Sequence, residues 1–148
     1  MAHDGRLDEA GSVADGVSYR LGGDVDPAAV ADLYASVGWW KDGDTFLRLE
    51  AALRGSAAVA SAWDGDTAVG VARLLSDGAM QGYVNGVAVR PGYQRRGVGS
   101  TLVQMLIETN PSLHFHLRTT SRRFTFYERL GFVRDDTGME RFPTAERR

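Results

Sequence analysis

The chain has 148 residues, enough for one domain with a proper core, and 43% of them are hydrophobic. A formal charge of -2 argues against a general nucleic-acid binder, which needs a basic surface, and no apolar run approaches a membrane span. The absence of cysteine excludes disulfides, zinc–thiolate sites and thiol nucleophiles.

Residues 1–16, "MAHDGRLDEAGSVADG", are polar and acidic without the apolar stretch of a signal peptide. They read as a flexible tail before a single domain over 17–148, and the expected setting is the cytoplasm. "VSYRLGG" reads as a first strand. Asp26 is placed to cap a helix with Pro27 at its first position, and Val30, Leu33, Tyr34 and Val37 share one helical face up to Gly38. Phe46, Leu49 and Leu53 suggest a second helix closed by Gly55. The period then shortens. "AAVASAW", "TAVGVARLL" and "AMQGYVNGVAV" are divided by Asp64-Gly65-Asp66 and by Asp77-Gly78, the strongest short-range hairpin signal. Strands two to four are therefore antiparallel. "VAVRPGYQRRGVGSTLVQMLIE" continues as strand, turn and crossover helix, followed by a strand in "SLHFHLRTT" and a helix in "RRFTFYERL". Gly131 ends that helix, and "GFVRDDTGMERF" suggests a C-terminal hairpin. The fold class is α/β with a mixed sheet.

Charge in the crossover helix is at the wrong ends. Arg95 and Arg96 stand at its positive N-terminus and Glu108 in its last turn, each costing about 0.3–1 kcal/mol if exposed. An anion would reverse that cost, because a helix N-terminus presents unpaired backbone N–H groups. Gly97 and Gly99 keep side chains away from that backbone. The plainer reading has both arginines in water and the glycines relieving crowding against the sheet. A nucleotide P-loop is excluded because Val98 and Gly99 follow Gly97 where lysine and Ser/Thr are needed. The dinucleotide fingerprint fails at Leu102 and lacks a βαβ unit.

Gln94-Arg95-Arg96-Gly97-Val98-Gly99 resembles the Q/R-x-x-G-x-G/A segment of the GNAT superfamily of N-acetyltransferases. "FTFYERLGF", Phe124–Phe132, is similar to that family's second signature, a tyrosine before a Leu-Gly-Phe stop. The resemblance spans about Val17 to Phe142. It implies a GNAT-like fold with splayed fourth and fifth strands and a site for acetyl-CoA as cosubstrate, with no metal. Backbone amides of Arg95, Arg96, Gly97, Val98, Gly99 and Ser100, within a segment opened by Gln94, would hold the pyrophosphate. Val87 and Val89 would pair with the pantetheine arm, and Gly86 fits a bulge in that strand.

The implied reaction is direct attack of an amine on the thioester in a ternary complex. It implies Tyr127 as proton donor to the departing sulfur and the Val87 N–H as oxyanion donor; the plainer reading of Tyr127 is a core residue. Relatives often carry a carboxylate on the fourth strand, but Gln81 to Asn85 holds none. Deprotonation is expected through ordered water positioned by Tyr83 or Asn85, or the amine binds already neutral. Thr120 stands where relatives often have asparagine. His114 and His116 could hold a metal or act as base, yet with no third ligand they read as a solvated or packed face. Trp39 and Trp40 are expected to wall the acceptor pocket, with Asp44 or Thr45 capping the next helix. The expected acceptor is a small-molecule amine. A protein lysine or N-terminus is the alternative, and a non-catalytic acyl-CoA sensor a third. No nucleic-acid or membrane partner is expected, and a homodimer is left open.

Overall fold

The computed structural model describes residues 16–144, so the tail expected over 1–16 lies, Gly16 apart, outside the described residues. Strand β1, Ser18–Leu21, leads to helix α1, Pro27–Ser36. Asp26 caps that helix as its residue type dictates, its Oδ1 accepting from the Ala28 N–H at 3.0 Å. Val30 and Leu33 on the inner face are fully buried. Gly38, at φ 80°, turns the chain away, and the Trp39 N–H donates back to the Tyr34 carbonyl at 2.8 Å. Helix α2, Phe46–Gly55, is capped by Thr45, whose Oγ1 accepts from the Arg48 N–H at 3.1 Å. Asp44, the other candidate cap, accepts instead from the Lys41 N–H at 2.6 Å and so closes the loop between the helices.

Strands β2 (Ala58–Asp64), β3 (Thr67–Ser76) and β4 (Gln81–Val89) follow as antiparallel hairpins. The pairing of Asp64 with Thr67 leaves Gly65 and Asp66 as the turn, and only Gly65 adopts positive φ there. In the second hairpin the Asp77 carboxylate accepts from the N–H groups of Met80, Ala79 and Gln81 at 2.8, 2.9 and 3.1 Å. Those hydrogen bonds hold its pKa down to about 2.

Helix α3, Val98–Thr109, then crosses over, and β5, His114–His116, joins β4 in parallel to give the order β1-β2-β3-β4-β5. Helices α1 and α2 bury Val30, Leu33, Leu49 and Leu53 with Val59, Trp63 and Val71 on one face of the sheet. Helix α3 packs on the other face, close over Gly70. A Cβ there would lie 2.8 Å from Leu102 Cδ1 and 2.9 Å from Val98 Cγ1. No other residue type lets the helix approach so closely.

The strand expected over "SLHFHLRTT" shortens to three residues. It meets β4 only at Gln81, Gly82 and Tyr83, and beyond them β4 runs on to Val89 while the chain of β5 leaves. The splay expected between the fourth and fifth strands is this parting.

By their contacts the described residues group into two units, 16–118 and 119–144. In the second, a 3-10 turn at Ser121–Arg123 precedes helix α4, Phe124–Glu128, and Gly131 at φ 96° follows. The C-terminal hairpin expected over 131–142 is not formed among the described residues. Asp135 accepts from the Thr137 N–H at 3.1 Å and from its hydroxyl at 2.8 Å, a local turn bond that does not by itself pair the flanking residues. Val133 and Met139 stay exposed, so no apolar face drives pairing.

Candidate functional site

The segment between β4 and α3 is built for open backbone amides. Arg95, at φ 64°, is the one non-glycine residue with positive φ among the described residues, and Gly92 and Gly97 share that sign at 96° and 83°. Gly97 caps α3 without any side-chain hydrogen bond, so the first-turn N–H groups of Val98, Gly99 and Ser100 meet no cap from the chain itself. Val98 is buried and pins the turn to the sheet. Alternating hand along Arg95 to Gly97 makes a concave arrangement of N–H groups suited to an anion. Arg96 folds back over the loop, donating to the Gly92 carbonyl at 3.2 Å with its guanidinium 5.0 Å from the Tyr93 ring. Tyr93 in turn donates to the Asp64 carboxylate, which ties the loop to the β2–β3 turn and raises the tyrosine's pKa.

Strand β4 supplies the second part. Its pairing with β3 steps from Val71–Ala88 to Arg73–Asn85, one extra residue on β4. Gly86 sits in that bulge at φ 68°, as its place in the sequence suggests. The Arg90 N–H donates to the Val69 carbonyl on β3 at 2.8 Å. By the two-residue alternation of a strand, the amides of Val89 and Val87 therefore face the opposite edge, the one β5 has left. The Gln94 side chain already donates to the Val89 carbonyl at 2.9 Å. This clamps the strand end and leaves the Val87 and Val89 N–H groups to the open edge.

Against the bulge stands a cluster the sequence reading missed. Arg73 donates to Asn85 Oδ1 at 2.7 Å, to Ser56 Oγ at 3.1 Å and to the Ala52 carbonyl at 3.3 Å, all neutral partners. Its Nε is buried without a hydrogen-bond acceptor. A Cβ on Gly86 would lie 3.2 Å from the Tyr34 hydroxyl and 3.6 Å from that Nε. Burial raises the Tyr34 pKa, partly opposed by the charge of Arg73. The available signal was a lone arginine inside the apolar run "TAVGVARLL", since a cation seldom enters a buried strand without a task.

Asn85 and Tyr83 share the face of β4 that carries Arg73, being paired with Arg73 and Leu75. Trp39 is 45% exposed and leans on Tyr34 at 5.5 Å between ring centroids. Trp40 stacks on Phe46 at 5.7 Å and packs against the core, so of the two only Trp39 stays open beside Tyr34. In the 119–144 unit Tyr127 is buried, edge-on to Phe126 at 4.8 Å and to Phe132 at 5.8 Å. Burial raises its pKa against the opposing charge of Arg123, so the phenol holds its proton at neutral pH. Among the described residues no group of three or more His, Asp or Glu could hold a metal ion, and no helix is long and apolar enough to cross a membrane.

Comparison with known proteins agrees with this geometry. The family model described as an acetyltransferase (GNAT) domain matches residues 55–134. A histone acetyltransferase of Glycine max, TAP1, is 32% identical over 138 residues, covering 84% of this chain and 59% of its own length. The chloroplastic GCN5-related N-acetyltransferase 2 of Arabidopsis thaliana is 29% identical, covering 84% and 56%. The chain thus spans little more than half the length of these plant relatives. A solved GNAT-family acetyltransferase of Streptococcus pneumoniae superposes with a TM-score of 0.75 at 32% identity, over 86% of this chain and 98% of that one.

Proposed function

The chain belongs to the GNAT acetyltransferase family, and from that premise we propose that it moves an acetyl group from acetyl-CoA to a primary amine of a small molecule. One observation carries the reading: a strand bulged at Gly86 turns two amides to an unpaired edge and leads directly into an uncapped helix. Acetyl-CoA, when bound, supplies the acyl group as a thioester. Its donor set fits, with the amides of Arg95 to Ser100 for pyrophosphate and those of Val87 and Val89 for the pantetheine arm. Such amides strengthen when charge develops on an oxygen opposite them, because they are fixed and need no reorganisation. The Val87 N–H is the proposed oxyanion donor, and Tyr127 the proposed proton donor to the departing sulfur. Asn85 is held by Arg73 through its oxygen, so its amide NH₂ is the group available to a water or an acceptor.

A protein lysine is the second reading, favoured by the name of the Glycine max relative. The test is release of free CoA thiol from acetyl-CoA across small amines and lysine peptides; the protein contains no cysteine and adds no thiol of its own. Release driven by small amines supports the proposal. Release driven only by peptides moves the function to protein acetylation. Tight CoA binding with no release for any acceptor replaces transfer by a sensor.

A further inference from the structure

We propose that His116 is the general base of the transfer, taking the acceptor's proton through one water held by Asn85; this rests on the transfer reading above. Strands β3, β4 and β5 carry no Asp or Glu within Thr67–Ser76, Gln81–Val89 or His114–His116. Asp77, at the turn, spends its carboxylate on three backbone N–H groups. The register sets His116 opposite Tyr83, the last pair before β4 and β5 part. Side chains alternate along a strand, so His116 shares the face of Tyr83 and Asn85 and stands at the apex of the opening. It is exposed to solvent there.

His116 Nε2 lies 2.7 Å from Gln81 Oε1. In the tautomer that donates to this oxygen, Nε2 carries the hydrogen and the lone pair is on Nδ1. Asn85 has its own fixed direction, since Arg73 occupies Oδ1 at 2.7 Å. Its NH₂ can donate to a water, which keeps a lone pair for the ammonium and a hydrogen for Nδ1. The levels of Tyr83 and Val87 are four residues apart, about 13 Å at about 3.3 Å each, so the imidazole reaches the acceptor nitrogen only through water. The ammonium gives one proton through the water to Nδ1 and becomes a neutral amine. Its nitrogen attacks, the C–N bond forms and the C–S bond breaks. The sulfur takes its proton from the donor proposed above, the nitrogen's second proton replaces that one, and the proton on His116 leaves to solvent. Other titratable or charged groups around His116 are His114, 4.2 Å away ring to ring, and Tyr83 on β4, with Arg73 and Tyr34 beyond. Arg118 follows on its own segment.

The experiment is the pH profile of kcat/KM for the wild type, His116→Gln and His114→Gln, with acetyl-CoA affinity measured by calorimetry. Glutamine keeps a polar partner for Gln81 but cannot titrate. His116→Gln is expected to lose about 10²-fold at neutral pH and the acidic limb of the profile, with acetyl-CoA affinity within about twofold. An acceptor whose amine is already neutral at the assay pH should recover most of that loss, whereas a merely structural defect would burden every acceptor alike. His114→Gln should stay within about threefold of wild type by the same scale. Wild-type turnover and an unchanged acidic limb in His116→Gln overturn the base assignment alone. A wild-type protein that binds acetyl-CoA and acetylates no amine overturns the transfer reading, and the base with it.

Discussion

Replacing Gly86 with alanine should separate stability from chemistry at one atom. Position 86 has φ 68°, and a left-handed residue with a Cβ costs about 1–2 kcal/mol. The new methyl would also stand 3.2 Å from the Tyr34 hydroxyl, close enough that one of them must move by a few tenths of an ångström. Together these predict a loss of about 1–3 kcal/mol, or roughly 4–12 °C in Tm for a chain of this size. If the backbone relieves the strain by flattening the bulge, the Val87 N–H turns away from the open edge. Turnover should then fall about 10²-fold, the low end of what losing an oxyanion donor costs. Adding Tyr34→Phe removes the steric part, so the double variant should regain some Tm but little turnover. Differential scanning calorimetry and thiol release read the two effects. A Gly86→Ala protein with lowered Tm and turnover within about threefold of wild type would refute the link between bulge and reaction. An unchanged Tm would refute the strain itself.

Other positions test the neighbouring parts. Gly70→Ala drives a methyl into Leu102 and Val98 at 2.8 and 2.9 Å and should cost about 1–3 kcal/mol in urea unfolding, with weaker acetyl-CoA binding because α3 lifts off the sheet. Gly99→Glu should abolish acetyl-CoA binding by calorimetry, since it blocks the first turn and repels phosphate; affinity held within a few-fold would misplace the pyrophosphate site. Asp77 has its folded pKa depressed from 3.8 to about 2, so its contribution is full above about pH 4 and is lost as pH falls through about 2. The Tm gap between wild type and Asp77→Ala should therefore be steady from neutral pH to about 4 and narrow below it. Tyr127→Phe should lower kcat about 10²-fold with acetyl-CoA affinity within about twofold, and unchanged turnover would return Tyr127 to the core.

What the sequence disclosed was what neighbouring residues decide. Asp26 with Pro27, the Asp-Gly turns and Gly86 each act within a few residues, and each appears where its chemistry places it. The Arg73 tie was hidden because its partners Asn85 and Ala52 lie 12 and 21 residues away; only folding brings them together. The placement of His116 was open for a related reason. An exposed histidine on a strand has no direction until the register sets it beside Tyr83. The hairpin expected over 131–142 fails for the opposite cause: "DDTG" is turn-like, but Val133 and Met139 beside it stay exposed. Turn chemistry alone does not form a sheet.

The arginines at the head of α3 join these levels. Arg95 takes a left-handed conformation at φ 64° without being glycine, which costs about 1–2 kcal/mol. Two positive charges at a helix N-terminus add about 0.3–1 kcal/mol each where exposed. A bound ligand at a hundred times its Kd stabilises by about 2.7 kcal/mol, the same scale as the sum. The cost has the sign that an anion at the first-turn N–H groups would offset. Departures from local rules gather there, at Arg95 and the uncapped Gly97, as they do on β3 and β4, where the Arg73 Nε is buried without an acceptor and Gly86 bulges the strand. Both groups of departures fall in segments that the proposed function uses, which is where local consistency is expected to fail.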